Sequence, residues 1–279
     1  MTSSPPAKRF DWKNLGLRAA SAAILAPLAL LAVWFGSLGF LVLMAVAVAL
    51  LTIEWGEMCD TETPFRAAAV MTVSVLVAVF AAYLGHPWIS WTLVGVGAFI
   101  GGLIALARGK IDRPSDIAFG VLYVGAPAVC LVWLRSMPQG RDWTLMLLGV
   151  VWAADIGAFL VGNLFKGPKL WPRFSPNKTW SGFAGGLVAA VCAAQAVRLA
   201  FSHGHDPSAV ATAFIGLAAG LAAMGGDLWE SMLKRRFGVK DSGSLIPGHG
   251  GVLDRVDGLM FAAVVVALAR WMVSLGAVH

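Results

Sequence analysis

Long apolar runs constrain this chain more than any other feature. A helix needs roughly 20 apolar residues to cross the hydrocarbon core of a bilayer. Nine such runs are found, at about 18–35, 38–55, 67–84, 88–107, 117–134, 143–163, 181–201, 208–226 and 256–275. The chain is 58% hydrophobic and only 13% charged, too apolar to cover one large soluble core with a wettable surface. The expected fold is therefore all-α, a polytopic integral membrane protein of about nine transmembrane helices. The first run follows Lys8, Arg9, Lys13 and Arg18. No small-residue cleavage site comes before the next apolar segment, so this run reads as a retained first helix rather than a signal peptide.

Charge gives the sidedness. With the N-terminus in the cytoplasm, the N-terminal arm and the connections near 56–66, 108–116, 164–180 and 227–255 hold 17 of the 21 Lys and Arg residues. Arg135, Arg141, Arg198 and Arg270 are left for the opposite side. The positive-inside rule thus accounts for the net charge of +6, which in a soluble chain would have suggested nucleic acid. An odd number of spans puts His279 outside. The expected location is a bacterial cytoplasmic (inner) membrane. Cys59, Cys130 and Cys192 form no CxxC and lie in or beside apolar stretches, so they read as small core residues. Gly97/Gly101, Gly182/Gly186 and Gly216/Gly220 permit close helix approach, within or between subunits.

Residues 1–145 read as N-terminal membrane helices, and 146–279 as a C-terminal catalytic membrane region with two polar segments. Asp155 lies inside the sixth run, where a carboxylate costs several kcal/mol unless it is paired, metal-bound or wetted. It is either a structural hydrogen-bonding group or one wall of a polar cavity. Asp227 ends the eighth run. If that helix continues to Arg236, then Asp227, Ser231 and Lys234 share one face, as suits a metal-bound phosphate; a helix-end salt bridge from Asp227 or Glu230 to Lys234 is the structural alternative. In the turn around His249, Gly250 and Gly251, backbone N–H groups can meet phosphate oxygens. Asp254 and Asp257 follow it on one helix face, and either could instead cap that helix. Asp155, Asp227, Asp254 and Asp257 are hard oxygen donors of the kind that hold Mg²⁺ or Mn²⁺. His249 has no second His at a ligand spacing, which favours phosphate contact or loop support over zinc. Ser175, Lys178 and Thr179 flank Pro176 in a turn suited to an anion, or to anionic headgroups at the membrane surface.

Together these elements resemble the phosphatidate cytidylyltransferase family. The family pattern is matched by Ser231, Leu233, Lys234, Arg235, Lys240, Asp241, Gly243, Ile246, Pro247, His249, Gly250, Gly251, Val252, Asp254, Arg255, Val256 and Asp257 without a mismatch over 27 residues. Upstream, Asp155 with Gly157, Ala158 and Phe159, then Lys169-Leu170, Ser175-Pro176, Lys178-Thr179 and Gly226-Asp227, also look like the family. Two positions depart from it: Ser181 stands where Glu is frequent, and Phe159 where Tyr is frequent. The resemblance implies a homodimer in the membrane lipid, Mg²⁺ with a second cation as an option, and CTP and phosphatidic acid as substrates. It implies catalytic roles for Asp227, Lys234, Arg235, Asp254, Arg255 and Asp257. Ser175, Lys178, Thr179, Ser231, Lys240, His249, Gly250 and Gly251 would bind substrate, and Asp155, Asp227, Asp254 and Asp257 would bind metal.

Rival functions lack their marks. A transporter would not need two polar segments crowded with Lys, Asp and Gly. The Asp-Gly pattern of CDP-alcohol phosphotransferases is missing beyond Asp257-Gly258, and no GxxxxGK[ST] loop occurs. The charge count makes a direct prediction. In a cysteine-free background, single cysteines at positions 110 and 240 will react with impermeant maleimide only from the cytoplasmic side; reaction from outside intact cells would reverse the topology.

Overall fold

A computed structural model describes residues 12–59, 64–108, 113–172, 175–201, 207–243, 245 and 250–276; Lys8, Arg9, Pro247, His249 and His279 lie outside them. Each apolar run forms one helix: α1 (Trp12–Phe35), α2 (Ser37–Cys59), α3 (Pro64–Tyr83), α4 (Pro87–Arg108), α5 (Ser115–Ser136), α6 (Gly140–Phe165), α7 (Trp180–Ala200), α8 (Ala209–Arg236) and α9 (Leu253–Ser274). Eight of them, α2 to α9, are long and apolar enough to cross a membrane, and α1 adds the shorter apolar stretch Ala23–Phe35. The chain is thus an all-α, multi-pass membrane protein. α8 runs ten residues past its apolar stretch, to Arg236, as the alignment of Asp227, Ser231 and Lys234 requires. A two-stranded antiparallel ribbon, β1 (Lys169–Trp171) and β2 (Ser175–Thr179), joins α6 to α7 with Lys169 opposite Thr179 and Trp171 opposite Ser175.

α5 is the central helix. It packs against α2, α3, α4, α6 and α9, and 72% of its apolar window is buried against 17% for α7. α2 to α5 pack among themselves, as do α6 to α9, and α5 with α9 forms the main seam between the two groups. Several Ser and Thr hydroxyls within the spans donate to carbonyls of their own helices, which serves them where water is absent. Thr72 donates to Ala68 O at 2.8 Å, Ser74 to Val70 O at 2.8 Å and Thr144 to Gly140 O at 2.6 Å.

The small-residue spacings work within the chain. A Cβ at Gly97 would come 2.6 Å from Ser74 Cβ, one at Gly182 2.7 Å from Ala158 O, and one at Gly216 2.8 Å from Ala194 Cβ. These glycines therefore carry the α3–α4, α6–α7 and α7–α8 contacts. At the far end of the bundle, arginines fasten the turns. Arg135 Nε donates to Val33 O at 2.7 Å beside the α1–α2 turn, where Gly36 has φ +63°. Arg270 reaches Pro138 O at 3.2 Å and lies over the Trp143 ring, and Arg198 reaches Pro207 O at 2.9 Å. The few arginines opposite the basic face are thus helix-end ties, which long guanidinium side chains can make across a turn.

Gly186 is the tightest test of this packing. A Cβ there would meet Met224 Cε and lie 2.7 Å from Ala154 O, on α8 and α6 respectively. Gly186→Leu will destabilise the α6–α7–α8 group by about 1–3 kcal/mol, read as a lower melting temperature in detergent. An unchanged melting temperature would refute the packing.

Candidate functional site

The site forms where α8 and α9 cross. The helix backbones touch because both contribute glycine at the crossing. A Cβ at Gly226 would lie 2.5 Å from Asp257 O, and one at Gly258 would lie 3.0 Å from Ala223 O. Asp227 follows the first glycine and Asp257 precedes the second, so the crossing itself sets the two carboxylates side by side. Asp257 lies within electrostatic range of Asp227, Asp155 and Lys178. Asp155, from α6, in turn feels Asp227, Lys178 and Arg255. Three carboxylates from three helices are thereby gathered with two cationic side chains.

Lys178 enters from the β ribbon and forms an ion pair with Asp227 Oδ2. The ribbon is held at its base. Trp180 N–H donates to Pro168 O at 3.1 Å, and Ser181 Oγ donates to Lys166 O. Thr179 caps α7 by accepting from Gly182 N–H at 3.1 Å, the usual service of a hydroxyl at a helix start. Its hydroxyl also lies 3.1 Å from Ser181 Oγ, so Thr179 is engaged in holding the ribbon. Ser175 begins β2, two strand positions before Asn177.

A second cluster lies further along α8. Lys234 Nζ bridges Glu230 Oε2 and Asp254 Oδ1, each at 2.6 Å. Asp254 Oδ2 accepts from Ser242 N–H at 3.2 Å and from Gly251 N–H at 3.0 Å. Both Asp254 oxygens are therefore occupied by the chain. Arg235, Lys240 and Arg255 are exposed, Ser231 is half-buried, and Gly250 turns the chain at φ +83°. Aromatic rings of Trp55, Phe119, Tyr123, Trp229, Phe237 and Phe261 pack as a wall behind the cluster, with centroids 5.2 to 6.5 Å apart. Glu230 Oε1 and the Tyr123 hydroxyl are buried with no hydrogen-bond partner among the described residues.

Sequence reasoning gathers Asp155, Asp227, Asp254 and Asp257 in one place. The structure gives Asp227 and Asp254 different partners, Lys178 and Lys234, and sets Asp257 beside Asp227. It bears out the salt bridge from Glu230 to Lys234, and it adds two acids that the sequence reading does not name. Glu54 of α2 is fully buried and accepts from Val252 N–H at 2.6 Å, from Leu253 N–H at 2.8 Å and from Ser242 Oγ at 3.3 Å. Asp116, at the start of α5, pairs with Arg236 at 2.5 Å, and its carbonyl accepts from Trp55 Nε1 at 2.9 Å. Glu54 had a signal in the sequence: it is a carboxylate inside an otherwise apolar run, the same feature that singles out Asp155.

The donor chemistry fits a divalent cation at Asp227, Asp257 and Asp155, which offer hard carboxylate oxygens beside cationic side chains that would meet phosphate. Among the described residues no three acidic, His or Cys side chains stand close enough to enclose an ion by themselves. A cation of the Mg²⁺ kind would need only one or two of these carboxylates, with substrate phosphate and water completing its shell. Asp254 fits less well, since Lys234 and two backbone N–H groups already hold it.

The two lysines differ in what their removal exposes. The Lys178 and Asp227 side chains are 28% and 39% exposed, whereas Lys234 sits between Glu230 and Asp254 side chains at 2% and 8%. Lys178→Ala leaves a wetted carboxylate and will barely change the melting temperature. Lys234→Ala strands two buried carboxylates and will cost about 3 kcal/mol or more. Equal melting temperatures for both variants would contradict this division.

Residues 16–273 match the Cytidylyltransferase family, nearly the whole chain. A protein of Brucella suis biovar 1 (strain 1330) named phosphatidate cytidylyltransferase is 36% identical over 269 residues, covering 91% of this chain and 93% of its own length. A Staphylococcus aureus (strain COL) protein of the same name is 37% identical over 184 residues, 63% of this chain and 68% of its own. With a match that spans both helix groups and every element of the site, the chain belongs to the cytidylyltransferase family.

Proposed function

We propose that the chain transfers the cytidylyl group of CTP to phosphatidic acid, forming CDP-diacylglycerol and releasing pyrophosphate. The carrying observation is the α8–α9 crossing, where carboxylates and cationic side chains gather at one end of a membrane helix bundle in the stretch that matches the family. A water-soluble nucleotide and a bilayer-bound lipid can meet only at such an end.

In the reaction a phosphate oxygen of phosphatidic acid attacks the α-phosphorus of CTP. A new P–O bond forms as the α–β phosphoanhydride bond breaks, and pyrophosphate leaves with the electron pair. The nucleophile is already an anion, so the site needs no strong base; none of the Ser-His-Asp kind is called for. What it must overcome is repulsion between two polyanions, by positive charge and by alignment. Lys178 meets phosphate oxygens when it exchanges Asp227 for them, Lys234 adds positive charge from between Glu230 and Asp254, and Arg235, Lys240 and Arg255 add positive charge at the exposed rim. Ser175 and Ser231 add hydroxyl donors, Thr179 holds the ribbon that carries Lys178, and His249, which lies outside the described residues, is assigned to phosphate contact. Asp227 and Asp257, supported by Asp155, would hold Mg²⁺, with a second cation as an option at the same carboxylates. Such a cation supplies charge neutralisation at the triphosphate and the departing pyrophosphate. Asp254 orients Lys234 and the backbone at Ser242 and Gly251. The enzyme acts as a homodimer in the bacterial cytoplasmic membrane, with this end facing the cytoplasm, as the 17-to-4 division of basic residues supports.

The test is transfer of label from α-³²P-CTP into chloroform-extractable lipid by the purified protein. Label will move only when phosphatidic acid and Mg²⁺ are both present. Asp227→Asn and Asp257→Asn will each lower turnover by at least about a hundredfold, some 2.7 kcal/mol of transition-state stabilisation, while the protein stays folded. No lipid labelling by the wild type would sink the assignment, and wild-type turnover in Asp227→Asn with an unchanged Mg²⁺ requirement would remove it as a ligand.

A further inference from the structure

The acid that closes the catalytic segment comes from the other half of the chain. Glu54 sits near the end of α2, 198 and 199 positions before the backbone groups that it holds. Its side chain is inaccessible to solvent. Oε1 accepts from Val252 N–H at 2.6 Å, and Oε2 accepts from Leu253 N–H at 2.8 Å and Ser242 Oγ at 3.3 Å. These N–H groups lie at the start of α9, where backbone donors lack partners within the helix. The residue at the cap position, Val252, has no side chain able to serve them. A carboxylate from a distant helix therefore replaces the local Ser or Asp that usually caps, and its charge faces the positive end of the helix dipole.

The surrounding chain is shaped to this carboxylate. A Cβ at Gly251 would lie 2.8 Å from Glu54 Oε2, and one at Gly243 would lie 3.0 Å from Oε1. Both glycines are thus needed to bring the backbone onto it. Asp254 binds the same two strands of loop from the opposite side, through Ser242 N–H at 3.2 Å and Gly251 N–H at 3.0 Å. Residues 242–243 and 251–253 are therefore pinned between one acid of α2 and one of α9.

We infer that Glu54 is a positioning residue for the transfer reaction. It fixes the first turn of α9, and through that turn the places of Asp254, Arg255 and Asp257. This rests on the activity proposed above. It gives the N-terminal helices a part in catalysis that none of the motif residues supplies. A role in stability alone would predict loss of folded protein with normal turnover in what remains. A positioning role predicts lowered turnover in protein that is still folded.

Glu54→Gln separates the two. It keeps the shape and one acceptor oxygen, but turns an NH₂ toward a backbone N–H or the Ser242 hydroxyl. Turnover per folded protein will fall about tenfold or more, with the KM for phosphatidic acid within about threefold of wild type. Amide hydrogen exchange across residues 250–254 will speed up by about tenfold or more, without substrate present. Ser242→Ala, which removes only the 3.3 Å contact, will lower turnover by about two- to fivefold at an unchanged melting temperature. Turnover in Glu54→Gln within twofold of wild type overturns the inference. So does slow exchange at 250–254 in that variant. Should Glu54→Gln fail to fold, Ser242→Ala decides: unchanged turnover overturns the inference, and a lowered one with intact folding upholds it. An inactive wild type would instead remove the proposed activity, while the exchange measurement would still report whether Glu54 holds the loop.

Discussion

The structure depends on one constraint: a charge brought to the end of a membrane helix bundle must find a partner there, because little water is present to solvate it. Several ionic groups at the site obey this. Asp227 has Lys178, Lys234 has Glu230 and Asp254, Asp116 has Arg236, and Glu54 has three donors from the 242–253 segment. In the proposed reaction a substrate phosphate would replace Asp227 at Lys178, one anion for another, which keeps solvent reorganisation small.

Close helix approach makes these pairings geometrically possible. At the α8–α9 crossing glycine stands on both sides, and the carboxylates next to those glycines, Asp227 and Asp257, are brought together as a result. The same device holds α6, α7 and α8, where Gly157, Gly182 and Gly186 meet backbone carbonyls or alanine methyls. α5 anchors the rest. Because it packs on α9 as well as on α2, the N-terminal helices form one wall of the site and deliver Glu54 and Asp116 to it.

Much of the site was legible because polar residues inside or beside apolar runs are costly and so stand out. Asp155 shows itself in this way, and Asp227, Lys234, Asp254 and Asp257 appear in a dense run of fixed spacing. Glu54 carries the same signal, yet it lies near the end of its run beside polar residues, where a carboxylate can also reach water, and nothing in its own neighbourhood names α9 as its partner. The β ribbon was hidden for another reason. Lys166 to Ser181 has the Gly, Pro and charge content of a loop, and its pairing is set by anchors at both ends: Ser181 on Lys166 O and Trp180 N–H on Pro168 O.

By itself the sequence determined the number and order of the helices, the division of basic residues among the connections, the family and most of the residues of the candidate site. Those follow from run length, charge count and local spacing, which need no knowledge of distant contacts. Only the tertiary structure decided which acid stands by which base. Asp227 and Asp254 look equivalent along the chain, both at the membrane end of a helix, yet one is drawn to a lysine of the β ribbon and the other to a lysine two turns further along α8. It also decided that an acid of the second helix caps the ninth. Ion pairs and caps are short-range interactions, so they are fixed by where folding brings the side chains, and separation along the sequence says nothing of that.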